Sequence, residues 1–357
     1  MRYSPALDGL RGVSVMLVLG LHASYGHFRG GWLGVNVFFV LSGFLITAIL
    51  IEEWHRRGSI SLKRFYYRRA LRLLPALLAT LLLTGVLWWL LAWPQSFTYG
   101  ALASLFYYSN WVRAFDGPDL GAFGHMWSLS VEEQFYLVWP LALMPLLRRY
   151  TGRHSLASVL GALVLFLAGL RALLWYQGSA LADYNSTLAR ADGLVLGAVI
   201  AVLFRSQRFV SIAATGWVQL LAWVGLAATL SAAAVVSPRA PWLYSHAGLL
   251  FFSLAAGAMI VNVVADEKGA FARLLSTAPS VWIGKRSYGI YLYHFAVFQA
   301  FEEVRLPNSI ANFALVSVLR FATCILVSAA SYAWLEQRFL LLKDSLATSG
   351  YAPSRPA

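Results

Sequence analysis

Long apolar runs recur along almost the whole chain, and each is close to the length that crosses a lipid bilayer. A transmembrane helix needs about 20 consecutive, mainly apolar residues. Hydrophobic residues make up 59% of the 357 residues and charged residues 12%, which excludes a soluble domain of this length. The runs lie at 9–27, 32–50, 73–93, 130–147, 156–177, 188–204, 215–236, 242–264, 286–302 and 311–334. We therefore predict an all-α fold, a polytopic integral membrane helical bundle of about ten transmembrane helices.

The basic residues predict how these helices are oriented. The chain has 28 Lys and Arg residues against 15 Asp and Glu residues, and most of the basic ones fall at alternate ends of the apolar runs. Cytoplasmic loops of membrane proteins carry an excess of Lys and Arg. The net charge of +13 therefore reflects topology rather than nucleic-acid binding. We predict that both termini are cytoplasmic and that the outside segments hold Arg29, Arg113, Arg239 and Arg305.

Two segments interrupt the alternation of apolar runs and short loops. Gly, Pro and aromatic residues are mixed in 94–129, which we predict to be an outside lid or a re-entrant piece. Charged residues surround a short apolar stretch in 265–286, as is typical of an interfacial helix. We expect one transmembrane domain over 1–340 and a short cytoplasmic tail over 341–357. Since Cys324 is the single cysteine, no internal disulfide or cysteine-rich metal site can form, and we predict no metal.

The segment 124–140 concentrates polar and ionisable groups at the mouth of an apolar run. Ser130 followed by Glu133 is typical of a capping box, which predicts that a helix begins near residue 130. A capping box needs one carboxylate, so either Glu132 or Glu133 is left beside His125. A spare carboxylate beside a histidine suggests proton chemistry. The alternative is that both carboxylates face water and interact only with the helix dipole.

Two ionisable side chains interrupt the first apolar run. Arg11 and His22 are eleven residues apart, so they share one face of a helix at a separation of about 16 Å. Ionisable groups within a membrane span are costly and are functional candidates by default. A histidine near a helix end can also simply bond to a carbonyl group, and that alternative stays open for His22.

Basic residues are dense before the third apolar run. Arg69 and Arg72 are three residues apart, which places both guanidinium groups on one face of the first turn of a predicted helix. Two arginine side chains at a helix start suit the phosphate groups of a cytoplasmic ligand. Orientation by positive charge alone is the alternative.

Polar side chains also follow one stripe at the start of the ninth run. Tyr288, Tyr291 and His294 are three residues apart in turn, so the stripe faces the bundle. A buried hydrogen-bond network is the alternative to a binding role. We interpret the remaining charges within spans as members of internal ion pairs: Arg171, Arg190, Asp192 and Arg320.

The second run carries small and polar residues among large apolar ones. Gly34, Ser42 and Gly43 are small enough to let helices approach closely, and we favour packing as their role. Asn36 and Ser42 could also line a cavity.

Several of these segments together resemble the membrane-bound acyltransferase-3 family. The string His-Met-Trp-Ser-Leu-Ser-Val-Glu-Glu-Gln-Phe-Tyr at 125–136 is similar to the signature of that family. Further similarities are the Asp8-Gly-Leu-Arg-Gly run followed by His22, the run 31–47, the Arg-x-x-Arg spacing at 69–72, and Ser-Tyr-Gly-Ile-Tyr-Leu-Tyr-His at 287–294.

The resemblance implies an acyl-CoA-dependent O-acyltransferase in the cytoplasmic (inner) membrane. Such enzymes move an acetyl or other short acyl group to a hydroxyl of a sugar or glycan. We expect acyl-CoA, in particular acetyl-CoA, as donor, and a glycan acceptor and the lipid bilayer as the other partners, with no nucleic acid. We expect the stand-alone form of the family, without an appended hydrolase-like domain.

The same resemblance assigns roles to the residues described above. The catalytic set comprises His22, Glu132 and Glu133. The donor is expected to contact Arg11, Arg69 and Arg72. The acceptor is expected to contact His125, Trp127, Ser130, Tyr288, Tyr291 and His294.

A transporter or flippase of a lipid-linked sugar or anion is the alternative from another functional class. Ten spans with internal charges and Gly or Pro breaks also fit such proteins. A transporter, however, needs no base paired with a spare glutamate. Many transporters also show similarity between their two halves, which this sequence lacks.

Overall fold

The computed structural model describes residues 3–23, 28–150, 152–303 and 309–348. The helices in this part of the chain are α1 (Pro5–Ala23), α2 (Leu33–Arg57), α3 (Leu62–Leu91), α4 (Phe97–Leu105), α5 (Ser109–Ala114), α6 (Trp127–Arg149), α7 (Arg153–Tyr176), α8 (Thr187–Leu203), α9 (Gln207–Ala213), α10 (Gly216–Val235), α11 (Trp242–Ser245), α12 (Gly248–Ala265), α13 (Ala270–Leu275), α14 (Ala278–Ala300), α15 (Ile310–Ser331) and α16 (Gln337–Thr348). A 3₁₀ segment, Gly121–Met126, precedes α6, and a π-helical segment, Tyr332–Glu336, joins α15 to α16.

Each of the ten predicted spans overlaps a helix, namely α1, α2, α3, α6, α7, α8, α10, α12, α14 and α15, and residues 24–27 of the first span lie outside the described residues. Seven helices of the described residues are long and apolar enough to cross a membrane, and the pair α8 and α9, bent by 112°, would make eight. Helices α6 and α14 are both 23 residues long but carry more polar side chains. The all-α, polytopic membrane prediction is therefore confirmed.

The chain forms two compact units, the first comprising 1–60 and 95–287 and the second 61–94 and 288–357. The single domain expected over 1–340 stays a prediction. Of the expected tail over 341–357, the first part belongs to α16, and 349–357 lie outside the described residues.

The first unit is built on a close contact between α2 and α8. Gly43 on α2 lies against the backbone carbonyl of Leu194, and Gly197 on α8 lies against the backbone of Val40 and Phe44. A side chain at either glycine would overlap the facing backbone, so these residues fix the distance between the two helices. Large apolar side chains, including Phe44 and Ile260, fill the core around this contact. The packing role predicted for Gly43 agrees with this arrangement.

The second unit contains α3, the part of α14 that follows Ser287, and α15 and α16. Within it, the hydroxyl of Tyr293 donates to Ser331 at 2.9 Å, and Ser331 donates to the carboxylate of Glu336 at 3.2 Å. The predicted ion pair of Arg320 is present, with Glu302 at 3.9 Å. Tyr293, Ser331 and Glu336 thus form a hydrogen-bonded chain within this unit.

The capping box predicted at Ser130 and Glu133 is wrong. Helix α6 begins three residues earlier, at Trp127, because the 3₁₀ segment leads directly into it. Ser130 is therefore inside the helix, and its hydroxyl lies 2.7 Å from that of Ser109 and donates to the Met126 carbonyl at 3.2 Å. The adjacent glutamates consequently lie in the second turn, where the dipole effect of the helix start has weakened.

The helix start predicted beside Arg69 and Arg72 is also wrong. Helix α3 begins at Leu62, where the Ser61 side chain accepts a hydrogen bond from the backbone of Arg64 at 3.4 Å. Arg69 and Arg72 are the eighth and eleventh residues of this helix, so the helix N-terminus does not add to their attraction for phosphate. In the 265–286 segment, the short helix α13 buries Phe271 and Leu275 within the first unit.

Candidate active site

The carboxylate of Glu132 is held between two long helices. The Ser42 hydroxyl on α2 donates to Oε1 of Glu132 on α6 at 3.1 Å. Both residues are half-buried. Glu133 lies about 100° further around α6, because an α-helix has 3.6 residues per turn. The structure thus distinguishes the two glutamates, since Glu132 faces the polar group on α2.

Helix α1 carries both Arg11 and His22, and both side chains are half-buried. The C-terminal part of α1 packs against the chain that leads into α2, where Gly31 lies against Leu17 and Leu21. Gly34 at the start of α2 contacts the backbone of Ser14. Close glycine contacts therefore place His22, next to Leu21, level with the beginning of α2.

A closed ring of hydrogen bonds joins α5, α6 and α8. The Asn110 amide donates to the Thr187 hydroxyl at 3.0 Å, and that hydroxyl donates to Oε1 of Gln134 at 2.6 Å. Gln134 completes the ring by donating to Oδ1 of Asn110 at 2.8 Å. No local sequence pattern predicts this pairing, although Gln134 directly follows the two glutamates. The ring fixes the segment 97–126 against the helix that carries Glu132.

The predicted acceptor-contact residues of the first unit are buried. His125 is 3% exposed and Ser130 is fully buried. The Trp127 ring lies 4.7 Å from the ring of Tyr184 and 6.2 Å from that of Phe39, measured between centroids. These residues are therefore close to Glu132 in the sequence and in the fold, within a tightly packed aromatic layer.

Arg190 is the centre of that aromatic layer. Its guanidinium carbon lies 4.9 Å from the ring centroid of Tyr184, and the rings of Phe39, Trp32 and Trp127 follow at 5.2, 5.8 and 6.0 Å. Its Nη2 donates to Oδ1 of Asn36 at 3.2 Å. Burial raises the pKa of Tyr184 to about 12, so this hydroxyl stays neutral and supplies no negative charge.

The ion pair predicted for Arg190 is wrong, whereas the one predicted for Arg171 is present. Arg171 donates to Oδ2 of Asp192 at 2.7 Å and to the Ala189 carbonyl at 2.9 Å. Asp192 therefore forms its ion pair with Arg171. Among the described residues no carboxylate lies within 4.0 Å of Arg190, and its Nε and Nη1 atoms have no hydrogen-bond partner. The sequence could not distinguish the two arginines because both lie within apolar segments near one aspartate.

The remaining predicted contacts belong to the second unit. Arg69 is half-buried and Arg72 is exposed on α3. The Tyr288 hydroxyl donates to the backbone carbonyl of Leu73, directly after Arg72, at 3.1 Å. His294 is fully buried, and its Nδ1 lies 2.6 Å from the Tyr291 carbonyl. Because a carbonyl only accepts, Nδ1 of His294 carries the proton. Tyr288 and His294 are thus each hydrogen-bonded to a backbone carbonyl within their own unit.

The model of an acyltransferase domain matches residues 4–330 of the chain. That match includes most of both units and all of the motifs described above. The chain belongs to the acyltransferase-3 family.

Curated proteins of this family show the same likeness. The chain is 31% identical over 355 residues to the peptidoglycan O-acetyltransferase OatA of Listeria monocytogenes, covering 94% of this chain and 55% of that protein. It is 33% identical over 353 residues to the putative peptidoglycan O-acetyltransferase YrhL of Bacillus subtilis, with shares of 94% and 55%. It is 30% identical over 348 residues to the O-acetyltransferase OatA of Staphylococcus aureus, with shares of 94% and 57%. The chain thus spans a little over half the length of these relatives, and no solved structure matches it.

The acyltransferase-3 motifs divide between the two units. The first unit carries His22, Glu132 and the Ser42 hydroxyl, groups that can hold and move a proton. The second unit carries the arginine pair on α3. Within the described residues no group of three or more His, Cys, Asp or Glu side chains could hold a metal ion.

Proposed function

We propose that this chain is a membrane O-acyltransferase that moves an acetyl group from acyl-CoA to a hydroxyl of a cell-envelope glycan. Membership of the acyltransferase-3 family supports the reaction class. The names of the relatives support peptidoglycan as the acceptor and acetyl as the group transferred. The observation that carries the proposal is the Glu132 carboxylate, half-buried and held by Ser42 inside a membrane protein.

His22 acts as the general base on the acceptor. A sugar hydroxyl is far too weakly acidic to attack a thioester unaided at neutral pH. An imidazole has a pKa near 6.5 and, when positioned, contributes about 10² to 10⁴ in rate. The acceptor oxygen forms a bond to the thioester carbonyl carbon as its proton passes to His22. The carbon–sulfur bond then breaks, and the thiolate leaves and takes up a proton as CoA.

Glu132 is the carboxylate that orients or charges His22. Its contact with Ser42 limits how the side chain can rotate, which suits a positioning group. Glu133 lies on another face of α6, because it is one residue further along the helix. The helix directions predicted from charge support the pairing, because His22 ends an outward-running helix and Glu132 begins an inward-running one.

The donor enters from the cytoplasm in this proposal. Arg11, Arg69 and Arg72 contact the acyl-CoA, and their charge suits its phosphates. The eleven-residue stretch from Arg11 to His22 is about 16 Å long and comparable to a pantetheine arm. The enzyme would therefore lie in the cytoplasmic (inner) membrane, with a glycan hydroxyl reached from the outside.

Purified protein in lipid nanodiscs, supplied with radiolabelled acetyl-CoA and a soluble glycan acceptor, tests this function. Wild type should acetylate the acceptor and, without acceptor, slowly release free CoA. His22→Ala should abolish transfer while expression and CoA binding persist. Glu132→Gln should lower the rate by at least about tenfold, and Glu133→Gln should lower it less.

Two outcomes would contradict parts of this scheme. If His22→Ala retains more than a few per cent of the wild-type transfer rate, His22 is not the base, and His125 and His294 become the candidates. If wild type neither transfers acetyl nor releases CoA, the acyl-CoA donor is wrong. Thermal unfolding of each variant shows whether a lost activity reflects lost folding.

A further inference from the structure

Arg190 has hydrogen-bond donors that the protein itself does not use. Its side chain is 2% exposed, and one of its three nitrogen atoms, Nη2, donates to Asn36. The other two, Nε and Nη1, have no hydrogen-bond partner among the described residues. The surrounding rings attract the charge, but an aromatic face is only a weak hydrogen-bond acceptor. Buried donors are rarely left unpaired, so these two nitrogen atoms indicate that Arg190 bonds to a ligand.

Tyr184 covers Arg190 on the accessible side. The rings of Trp32, Phe39 and Trp127 around the guanidinium group are buried. The ring of Tyr184 is the nearest of the four, at 4.9 Å, and it is half-buried. Tyr184 belongs to the connection between α7 and α8, and connecting segments move more readily than packed helices. A group that approaches Arg190 from solvent therefore passes Tyr184.

A second arginine, Arg113, lies near Tyr184. It is exposed on α5, and its Nε donates to Oδ1 of Asn185, the residue after Tyr184, at 3.1 Å. Asn185 is held in turn by Asp183, whose Oδ1 accepts from the backbone N–H and the side-chain amide of Asn185 at 2.8 and 2.7 Å. The Arg113 side chain is therefore directed by one nitrogen atom, and Nη1 and Nη2 are left for a ligand.

The charges of both arginines act on Tyr184. Burial raises the pKa of Tyr184, and the positive charges of Arg190 and Arg113 oppose that effect. The charge of Arg113 also acts on the imidazole of His22. Asp183, which is bonded to Asn185, adds one negative charge near Tyr184 against the two positive ones. We call Arg113, Tyr184 and Arg190 the Tyr184 cluster; it is positively charged and lies near His22.

We propose that Arg113 and Arg190 bind an anionic group of the acceptor glycan, a carboxylate or a phosphate, and so place the acceptor hydroxyl at His22. This rests on the proposed function, in which His22 is the base. An anion supplies both the hydrogen-bond acceptors and the negative charge that this cluster lacks, whereas water supplies only the former. The arginine distribution predicts that Arg113 lies outside the membrane, which is where a cell-envelope glycan is met.

Pairs of acceptors that differ only in charge test this selectivity in the wild-type chain. The enzyme, in lipid nanodiscs with acetyl-CoA, is given the disaccharide of N-acetylglucosamine and N-acetylmuramic acid, which has a free carboxylate, or its methyl ester. The KM for the free acid should be lower by about tenfold or more, because the ester forms no charge-assisted contact. A second pair, N,N′-diacetylchitobiose with and without a 1-phosphate group, distinguishes a phosphate from a carboxylate as the anionic group.

Variants connect the selectivity to the two arginines. Arg113→Gln should raise the KM for the charged acceptor towards that for the neutral one and leave the neutral one unchanged, whereas a purely structural defect would affect both. Arg190→Lys keeps the charge but has no guanidinium group, and it should act in the same direction. Arg239→Gln removes another exposed arginine that is predicted to lie outside, and it should keep the wild-type preference.

Equal KM values for both members of both pairs in wild type would overturn the proposal, and so would a preference that survives in Arg113→Gln. If no acceptor is acetylated at all, the failure lies in the proposed function. Calorimetric titration of the same four acceptors without a donor then decides the anion site, since binding needs no turnover. If Arg190→Lys does not fold, the wild-type comparison and Arg113→Gln give the answer.

Discussion

Arg190 shows how a single charge can be kept in an apolar interior without a carboxylate. A buried ion without compensation is strongly destabilising. Here four aromatic rings within 6.0 Å and one amide oxygen replace the missing counter-ion. A desolvated cation over an aromatic face gains about 2 kcal/mol or more. The aromatic residues of this layer, including Trp127, therefore stabilise the charge of one arginine.

Asn36→Asp should stabilise the protein because it supplies a negative charge beside Arg190. The hydroxyl of Ser253, which now accepts from the Asn36 amide at 3.3 Å, would donate to the new carboxylate instead. We expect a rise in melting temperature of about 2 °C or more, measured in detergent. The matched control is Asn262→Asp, which places a carboxylate at another buried asparagine whose Oδ1 has no hydrogen-bond partner among the described residues. That control should melt lower, and a lower melting temperature for Asn36→Asp would contradict the account of Arg190.

The donor prediction concerns the arginine pair on α3. If Arg69 and Arg72 hold phosphates of acyl-CoA, changing both to Gln should lower CoA affinity by more than tenfold, because each lost charge-assisted contact costs about 1.5 to 3 kcal/mol. Titration of CoA into the purified double variant measures this. The exposed Lys63 on the first turn of α3 serves as the control through Lys63→Gln. Unchanged CoA affinity in the double variant would exclude this role.

At the scale of the elements, contact between α2 and α8 decides where Ser42 sits. Gly43, directly after Ser42, touches the backbone of Leu194. This contact fixes the rotation of α2 and therefore the direction in which the Ser42 side chain points. Small residues give membrane helices such close contacts, which replace the hydrophobic driving force available in water. The packing contact of Gly43 therefore also fixes the position of the neighbouring Ser42 hydroxyl, which donates to Glu132.

Gly43→Ala should destabilise the first unit. The new Cβ would overlap the Leu194 carbonyl, which belongs to the backbone and cannot rotate away. Overpacking of this kind typically costs about 1 to 3 kcal/mol. Gly161→Ala on α7 is the control, because a Cβ there meets no atom within 4 Å. Fluorescence-detected thermal unfolding should give a lower melting temperature for Gly43→Ala and an equal or higher one for Gly161→Ala. Equal melting temperatures would show that the helices can separate without cost.

At the scale of the whole molecule, the sequence predicted which segments are helical better than where helices begin. Each apolar run of about 20 residues became a helix, since few other structures satisfy the backbone in a bilayer. The starts of α3 and α6 were missed because basic and aromatic turns can extend a helix as readily as form a loop. The partners of Arg190 and Glu132 were also missed, since pairing across helices depends on packing that no local pattern encodes.

Orientation in the membrane is the prediction that belongs to this scale. With Cys324 replaced by Ser, single cysteines are placed at Ser59 and Asp119, both of which are exposed. An impermeant thiol reagent applied to intact cells should label position 119 and leave position 59 unlabelled. Permeabilised cells should label at both positions, which controls for reactivity. Labelling of position 59 alone in intact cells would reverse the predicted orientation, including the cytoplasmic termini.

The hydrogen-bonded ring of Asn110, Gln134 and Thr187 also constrains the order in which the protein is made. Its three members are separated by 24 and 53 residues, so the ring cannot close until α8 has left the ribosome and entered the bilayer. Until then the amides of Asn110 and Gln134 have no ring partner on α8, and an unsatisfied polar group in lipid is costly. The segment that precedes α6 is therefore completed late in biogenesis by a helix synthesised well after it.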